Sequence, residues 1–270
     1  MDKKIGFIGS GKMAGAIIKG LIKSGFTSPE NIIATQKEAE GIEKKSKELG
    51  VKIIIDNTKL VEQSDVVFIA TKPNQVMDVL SQVKPFLENK NKLLVSIAAG
   101  ITLKKLENNL PEKTRIIRVM PNTPALVGEG MSGMAGGQYA QKEDIEYIKN
   151  LLSVIGKCIV VDKEEQMDIV TAISGSGPAF YYKVINDIAR AGEKLGMEYE
   201  KALLLSIQTA IGSAKMALQR EISMEQLIAN VATKGGCTAV GIESMLEQNT
   251  EKIFLEVIKS TTQKAHELGN

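Results

Sequence analysis

Residues 5–14 read Ile5-Gly6-Phe7-Ile8-Gly9-Ser10-Gly11-Lys12-Met13-Ala14, and apolar residues at helical spacing follow. An apolar strand that runs through G-x-G-x-x-[G/A] into a helix is the dinucleotide-binding fingerprint. Gly9 permits the tight turn, Gly11 lets the backbone approach a pyrophosphate, and Ala14 keeps the helix close to the strand. The helix start offers free N–H groups and a positive dipole end to the phosphates. The segment predicts a Rossmann-type domain that binds a dinucleotide. The alternative is a strand–helix turn without a ligand.

The composition argues against several classes of protein. The chain has 270 residues, 43% of them hydrophobic, and a net charge of +2, which gives no strong field for nucleic acid. The chain has one histidine, His266, which we expect on the surface of a helix. A single histidine argues against a Ser-His-Asp triad, a histidine proton shuttle and a histidine-rich metal site. Cys158 and Cys237 have neither disulfide nor zinc spacing. With no signal peptide or bilayer-length apolar run, we expect a soluble, cytoplasmic protein that binds no membrane.

Short apolar runs alternate with amphipathic stretches through the first part of the chain. Parallel strands that are covered by helices on both faces have this pattern. The sequence predicts strands at Ile5–Ile8, Ile32–Ala34, Val51–Ile55, Val66–Ile69, Leu93–Ser96, Ile116–Val119, Met131–Ala135 and Cys158–Val161. It predicts helices at Glu38–Leu49, Gln75–Phe86, Leu103–Leu110 and Glu143–Ile155. Residues 1–162 are therefore expected to form an α/β domain with a doubly wound, parallel sheet.

After about Asp162 the apolar residues recur only at helical spacing. Residues 163–270 are therefore expected to form an all-α domain. Within it, Ala202–Ala217 is apolar on more than one face, which favours burial in a homodimer; a central helix in a monomeric bundle is the alternative. The predicted helices are Met167–Ile173, Ala179–Leu195, Tyr199–Leu218, Met224–Val231, Thr238–Glu247 and Lys252–His266.

The end of the second strand bears on the choice of coenzyme. NAD sites place Asp or Glu about 20 residues after the glycines to hold the ribose hydroxyls. Here Thr35-Gln36-Lys37 precedes the first acid, Glu38. These residues suit a 2′-phosphate, which favours NADPH, although NADH stays open. Alternatively, Lys37 and Glu38 simply begin a solvated helix.

Three further loops follow predicted strands and are expected to face the same crevice, because ligands bind at the carboxyl ends of such strands. Ordinary loop structure is the alternative for each of them. In the first loop, Pro73 suits a first helical turn. In the second, small residues let a cofactor lie against the backbone. In the third, two prolines hold the amide of Asn122 in place. The loops are Ala70-Thr71-Lys72-Pro73, Ser96-Ile97-Ala98-Ala99-Gly100 and Met120-Pro121-Asn122-Thr123-Pro124.

Two glycine-rich segments in the helical part are predicted helix starts and hence candidate anion sites. In the first, residues 174–178, Ser176 is expected to cap the helix and Pro178 to lie in its first turn; capping alone is the alternative. In the second, residues 234–238, the pair Gly235-Gly236 costs conformational entropy, so a close ligand explains it better.

Taken in order along nearly the whole chain, these segments resemble the pyrroline-5-carboxylate reductases. The Met-Pro-Asn-Thr-Pro and Ser-Gly-Ser-Gly-Pro-Ala segments are the specific ones, since many dehydrogenases share the first fingerprint. The matching segments are residues 7–14, 72–73, 96–100, 118–124, 128–130, 172–179 and 235–238.

The resemblance implies reduction of a cyclic imine to L-proline with NAD(P)H, the final step of proline biosynthesis. It implies a helical domain that forms the homodimer, possibly within a higher oligomer, and an active site between one subunit's cofactor and the partner's helical domain. The implied substrate residues are Glu221, Gly236, Cys237 and Thr238, with Thr238 as the catalytic residue. The implied cofactor residues are Gly9, Ser10, Gly11, Lys12, Met13, Thr35, Asn57, Ala70, Thr71, Lys72, Pro73, Ala98, Ala99, Gly100, Asn122 and Asn230. No metal is implied.

Three positions differ from the resembled pattern. The second-strand loop often carries Ser or Arg where this chain has residues 35–37. The glycine turn usually follows Ser-Pro, whereas here it follows Thr233-Lys234, and Cys237 stands where small or hydroxyl residues are usual.

The implied chemistry suits a chain with one histidine, because a protonated cyclic imine accepts hydride without a strong acid to polarise it. The enzyme mainly orients the two reactants. The substrate carboxylate is expected on the N–H groups of the turn at residues 235–238, and the Thr238 hydroxyl on the ring nitrogen. Three alternatives stay open: a related imine reductase, a non-catalytic nucleotide-binding protein, or a hydroxy-acid dehydrogenase that uses Lys183, Lys194 or Lys215.

Overall fold

An eight-stranded sheet forms the centre of the N-terminal part. The computed structural model describes residues 3–88, 91–219 and 221–269. All the predicted strands form, with ends shifted by at most two residues. They are β1 Ile5–Ile8, β2 Ile32–Thr35, β3 Lys52–Ile54, β4 Val66–Ile69, β5 Leu93–Ser96, β6 Arg115–Met120, β7 Gly130–Gly136 and β8 Gly156–Val160. Their spatial order is β3-β2-β1-β4-β5-β6-β7-β8.

One strand departs from the expected parallel arrangement. β7 runs antiparallel to β6, whereas β8 runs parallel to β7. A parallel connection needs a crossover of a dozen or more residues, usually with a helix. Only residues 121–129 join β6 to β7, and they contain one short 3₁₀ turn, Thr123–Val127. The expectation of a wholly parallel sheet is therefore wrong at this edge.

Helices of the N-terminal part cover both faces of the sheet, and further helices follow them along the chain. They are α1 Lys12–Lys23, α2 Ile42–Leu49, α3 Asn57–Gln63, α4 Val76–Val83, α5 Leu103–Glu107, α6 Lys142–Ser153, α7 Gln166–Val170, α8 Gly177–Lys194, α9 Tyr199–Gln219, α10 Met224–Val231, α11 Cys237–Glu247 and α12 Thr250–Gly269. Phe7 packs with residues of α1 and α6 on one face, and Ile8 with residues of α3 and α4 on the other. The α/β, doubly wound fold class is confirmed.

Two helices differ from the sequence expectation. α3 was not predicted; it begins after Asp56, whose carboxylate accepts hydrogen bonds from the N–H groups of Thr58 and Lys59. α2 begins at Ile42 rather than Glu38, because Gly41 is left-handed (φ +78°) and the Gln36 amide holds the preceding loop.

The chain divides into two compact units. One comprises residues 1–176 and 261–270, and the other comprises Gly177–Ser260. The contacts thus divide after Ser176, whereas the sequence pattern changes near Asp162. The domain boundary at 162/163 stays a prediction.

The second unit consists of helices, as expected after residue 162, and the part of the chain that the structure describes there contains no strand. α8 packs against α9, with the Tyr199 hydroxyl donating to Asn186 Oδ1 at 2.9 Å and Arg190 above the Tyr199 ring. Large apolar side chains of α9 are exposed, including Leu204 and Leu205. Among the described helices, none is long and apolar enough to span a bilayer.

Candidate active site

The fingerprint forms the expected tight turn between β1 and α1. Gly9 is left-handed (φ +102°), and a Cβ there would lie 2.8 Å from the Ala70 carbonyl oxygen. Gly11 precedes α1 in an extended conformation without a capping side chain, and no described atom beyond its two chain neighbours lies within 4 Å of the position that a Cβ would take. The N–H groups of Lys12 and Met13 have no acceptor within the described residues. The turn therefore presents free donors and open space at a helix start, as phosphate binding requires.

A crevice of about 640 Å³ lies beside this turn at the carboxyl ends of β1, β2 and β4. It brings together eight of the predicted cofactor residues, which come from four separate segments of the chain. They are Gly9, Ser10, Gly11, Thr35, Asn57, Ala70, Thr71 and Lys72. This position, next to the switch in strand order between β1 and β4, is where open α/β sheets bind dinucleotides.

Thr35 holds the glycine turn in place. The residue is only 3% exposed, and its hydroxyl accepts a hydrogen bond from the Gly9 N–H at 3.1 Å. The hydroxyl donates to Asn57 Oδ1 at 2.7 Å, and Asn57 Nδ2 donates to Gln82 Oε1 at 2.9 Å. Thr35 and Asn57 therefore brace the wall of the crevice, and the Thr35 hydroxyl is already bonded on both sides.

Thr71 carries a polar atom that is left without a partner. Its Oγ1 is buried and makes no hydrogen bond to the described protein, although the residue lines the crevice. A buried hydroxyl without a partner is unfavourable by about 1–3 kcal/mol. A polar ligand group that reaches this hydroxyl would satisfy it.

The other predicted cofactor residues of the first unit do not line the crevice. Lys12 lines a neighbouring groove along α1. Gly100 is left-handed (φ +72°) and packs against Leu268 near the end of α12. Asn122 is buried, and its Nδ2 donates to the Ser174 carbonyl at 3.2 Å while its Oδ1 accepts from the Met131 N–H at 2.9 Å. Met13, Pro73, Ala98 and Ala99 likewise lie outside the set of lining residues.

The expected substrate turn forms within the second unit. Gly235 is left-handed (φ +78°), and Gly236 precedes α11 without a capping side chain. The Gly236 N–H donates to the Thr233 carbonyl at 2.9 Å, so it is occupied. The N–H groups of Cys237 and Thr238 have no acceptor within the described residues. The turn thus leaves two adjacent donors for an anion.

Glu221 and Asn230, the remaining predicted site residues, also belong to the second unit. Glu221 is exposed and lies between α9 and α10. Asn230 lies on α10, where its Oδ1 accepts a hydrogen bond from Gln226 Nε2 at 2.9 Å. The predicted roles of Glu221 in substrate binding and of Asn230 in cofactor binding therefore stay predictions.

Residues 174–178 include the start of α8 at Gly177, with Pro178 in its first turn, as expected. The anion site at this helix start stays a prediction. A π-helical turn, Thr171–Gly175, runs from α7 towards α8. Ser176 has helical backbone angles (φ −87°, ψ −24°), and its N–H donates to the Thr171 carbonyl at 2.8 Å. Its predicted capping role is therefore wrong, because an N-cap residue has extended angles.

Arg118 of β6 is a buried cation that the sequence patterns did not indicate. The Arg118 side chain is 5% exposed and lies 2.8 Å from Glu164 Oε1 and 3.8 Å from Asp168 Oδ1. Glu164 also accepts from the Leu103 N–H at 2.6 Å, and Asp168 contacts His266 Nδ1 at 3.2 Å. This network ties β6, α5, α7 and α12 together. One charged residue inside the apolar run of β6 was the available signal.

The two thiols and the histidine have different surroundings. Burial raises the pKa of Cys158 to about 11, so its reactive thiolate is scarce at neutral pH. Cys237 is an exposed free cysteine. The side chain of His266 is largely exposed, as expected. Within residues 3–88, 91–219 and 221–269, no cluster of His, Cys, Asp and Glu could hold a metal ion.

The chain resembles one family over its whole length. Residues 164–268 match the profile of pyrroline-5-carboxylate reductase dimerisation, and residues 4–100 match that of coenzyme F420-dependent NADP oxidoreductase. A pyrroline-5-carboxylate reductase of Methanosarcina acetivorans is 39% identical, covering 99% of this chain and 98% of the relative. The solved reductase of Coxiella burnetii superposes with a TM-score of 0.95 at 33% identity over 99% of each chain.

A second solved structure contains a ligand. The pyrroline carboxylate reductase of Plasmodium falciparum, solved with NADP bound, superposes with a TM-score of 0.86 at 31% identity, covering 100% of this chain and 99% of that one. A prephenate dehydrogenase of Aquifex aeolicus, at 14% identity and a TM-score of 0.55, shares only the fold.

Proposed function

The chain belongs to the pyrroline-5-carboxylate reductase family, and on that premise we propose that it reduces 1-pyrroline-5-carboxylate to L-proline with NADPH. This is the final step of proline biosynthesis. The observation that carries the proposal is similarity along the entire chain, so that both the crevice and the glycine turn of α11 lie inside it. The imine reduction is therefore preferred to the hydroxy-acid and non-catalytic alternatives.

Three observations support NADPH in the crevice of the first unit. Gly11 leaves open space where a Cβ would stand, and the Lys12 and Met13 N–H groups are free to bind the pyrophosphate. The buried Thr71 hydroxyl needs a polar partner. When bound, NADPH supplies the hydride; the protein's part is to hold and orient it. NADH is a weaker second coenzyme.

The turn at Gly235–Thr238 binds the imine. Its carboxylate accepts hydrogen bonds from the Cys237 and Thr238 N–H groups at the positive end of α11. The Thr238 hydroxyl hydrogen-bonds the ring nitrogen and helps to keep it protonated. Because the protonated C=N group is already electrophilic, this chemistry requires neither a metal nor a histidine.

The surroundings of Lys183, Lys194 and Lys215 do not support the catalytic role that a hydroxy-acid dehydrogenase would require of one of them. Lys183, the first of them, is exposed and paired with Asp187 at 2.5 Å on the same helix. An exposed pair of this kind is an ordinary surface feature of a helix. Lys194 and Lys215 also lie in helices of the second unit and are mostly exposed.

The second unit forms a homodimer. The matching family profile describes dimerisation and includes all of α9. Leu204 and Leu205 of α9 are exposed in the single chain, and contact with a second subunit would bury them. Higher assembly is compatible with this interface. We expect sedimentation to give at least twice the 29.2 kDa of one chain. A monomer at micromolar concentration would contradict the dimer.

A reducing, cytoplasmic location fits the two free cysteines.

A substrate panel tests the reaction. NADPH absorbance is followed with pyrroline-5-carboxylate, with its six-membered cyclic homologue, and with pairs of keto and hydroxy acids. We expect the five-membered imine to give the highest kcat/KM. Turnover of a keto acid but of neither imine would contradict the proposal.

A further inference from the structure

Lys45 is a cation in the crevice that the sequence patterns did not indicate. It lies in the second turn of α2 and lines the crevice together with Thr35, Gln36 and Lys37, as well as the neighbouring groove along α1. The side chain is 27% exposed, and its Nζ lies 3.0 Å from Glu48 Oε2. Lys45 is thus a partly buried ammonium group beside the end of β2, held by a neighbouring carboxylate.

The residues that were expected to meet the ribose at this point are largely engaged elsewhere. The Thr35 hydroxyl is bonded to Gly9 and Asn57. The Gln36 side chain donates to the carbonyl oxygens of Glu38 and Glu40 at 2.9 and 2.6 Å. The two cations that line this end of the crevice are Lys37, which is exposed, and Lys45.

The same region lacks the carboxylate that an NADH site uses. Glu38 comes closest to that position in the sequence, but it is exposed and does not line the crevice. Asp78, the acid among the lining residues, belongs to α4 rather than to the end of β2. The residues at the end of β2 therefore favour a coenzyme with a phosphate on the 2′ oxygen of its adenosine ribose over one with a free 2′-hydroxyl.

We propose that Lys45 binds the 2′-phosphate of NADPH and sets the preference of this chain for NADPH over NADH. The inference rests on the proposed function. An ammonium group has three donors, and Glu48 takes one of them, so two stay available for phosphate oxygens. Glu48 positions the Lys45 side chain by this contact. Lys37 has no such support and contributes less.

Lys19 provides a matched control. It lies on α1, and its Nζ is 3.4 Å from Oε1 of the same Glu48. However, Lys19 lines the neighbouring groove along α1 and not the crevice. Lys45 and Glu48 also line that groove, but of the two lysines only Lys45 lines the crevice as well. Replacing Lys19 thus removes one positive charge beside Glu48 while the Lys45–Glu48 contact and the lining of the crevice are kept.

The experiment measures the dissociation constants of NADPH and NADH by fluorescence titration, without imine, for the wild type, Lys45→Gln, Lys45→Arg, Lys37→Gln and Lys19→Gln. We expect Lys45→Gln to weaken NADPH binding by about tenfold, as for one charge-assisted hydrogen bond, and to change NADH binding less than about twofold. Lys45→Arg should keep most of the preference, and Lys19→Gln all of it. Adenosine 2′,5′-bisphosphate and 5′-AMP, used as competitors, should show the same contrast.

Several results would overturn the proposal. They are a wild type that binds NADH as tightly as NADPH, a Lys45→Gln variant that weakens both coenzymes equally or neither, and a larger loss of preference from Lys37→Gln. Because imine is absent from the titration, failure of the reaction is distinguishable: an enzyme that binds NADPH through Lys45 but reduces no imine contradicts only the proposed function.

Discussion

Replacing Gly11 with alanine is expected to weaken NADPH binding about a hundredfold, equivalent to about 2.7 kcal/mol, with little effect on folding. The structure shows open space around the position of the added Cβ, and the backbone angles at Gly11 suit any L residue. The methyl group therefore meets the bound pyrophosphate rather than the protein. Because alanine is a poorer N-cap than glycine, the free energy of unfolding should fall by no more than about 1 kcal/mol.

Gly9→Ala is the informative contrast. Gly9 is left-handed, and its added Cβ would lie 2.8 Å from the Ala70 carbonyl oxygen. This variant should lose both thermal stability and NADPH affinity. Coenzyme titration and thermal unfolding of the two variants separate the effects. Wild-type NADPH affinity in Gly11→Ala would show that the coenzyme does not lie against this turn.

Replacing Thr238 with alanine is expected to lower kcat/KM for the imine by about 10- to 100-fold, the effect of one productive hydrogen bond of about 1.4–2.8 kcal/mol. The variant keeps its backbone N–H group, so carboxylate binding persists while the contact to the ring nitrogen is lost. The NADPH dissociation constant should not change. Thr238→Ser, which retains a hydroxyl, should recover most of the activity.

The neighbouring thiol supplies the control for that variant. Cys237→Ser alters the exposed side chain beside Thr238 but preserves the backbone donors of the turn. Its kcat/KM should stay within about threefold of the wild type, since the role proposed for residue 237 is that of its N–H group. Unchanged kinetics in Thr238→Ala would remove Thr238 from the mechanism.

The sheet and most helices could be predicted because their signals are local. Strands β1, β4 and β5 are buried on both faces and read as continuous apolar runs. The glycine turns at residues 9–11 and 235–236 were recognisable because their type and position fit helix starts. For residues 174–178, the local pattern predicted the start of α8 but not the π-helical turn before it, so the cap expected at Ser176 does not form.

Interactions between distant residues could not be predicted from local patterns. The Thr35 hydroxyl binds a backbone group 26 positions earlier and an amide 22 positions later. Arg118 finds Glu164 across 46 positions. The position of Lys45 in the lining of the crevice could not be predicted either, because it depends on the residue at which α2 begins. Gln36 and Gly41 together determine that start. Family resemblance supplied site residues beyond the reach of such patterns, and the roles of those residues stay predictions.

The most direct test of the account is product analysis with the purified chain, NADPH and 1-pyrroline-5-carboxylate. We expect L-proline to appear in amounts equal to the NADPH oxidised, and faster with NADPH than with NADH. NADPH that binds to the chain without L-proline being formed would contradict the central claim.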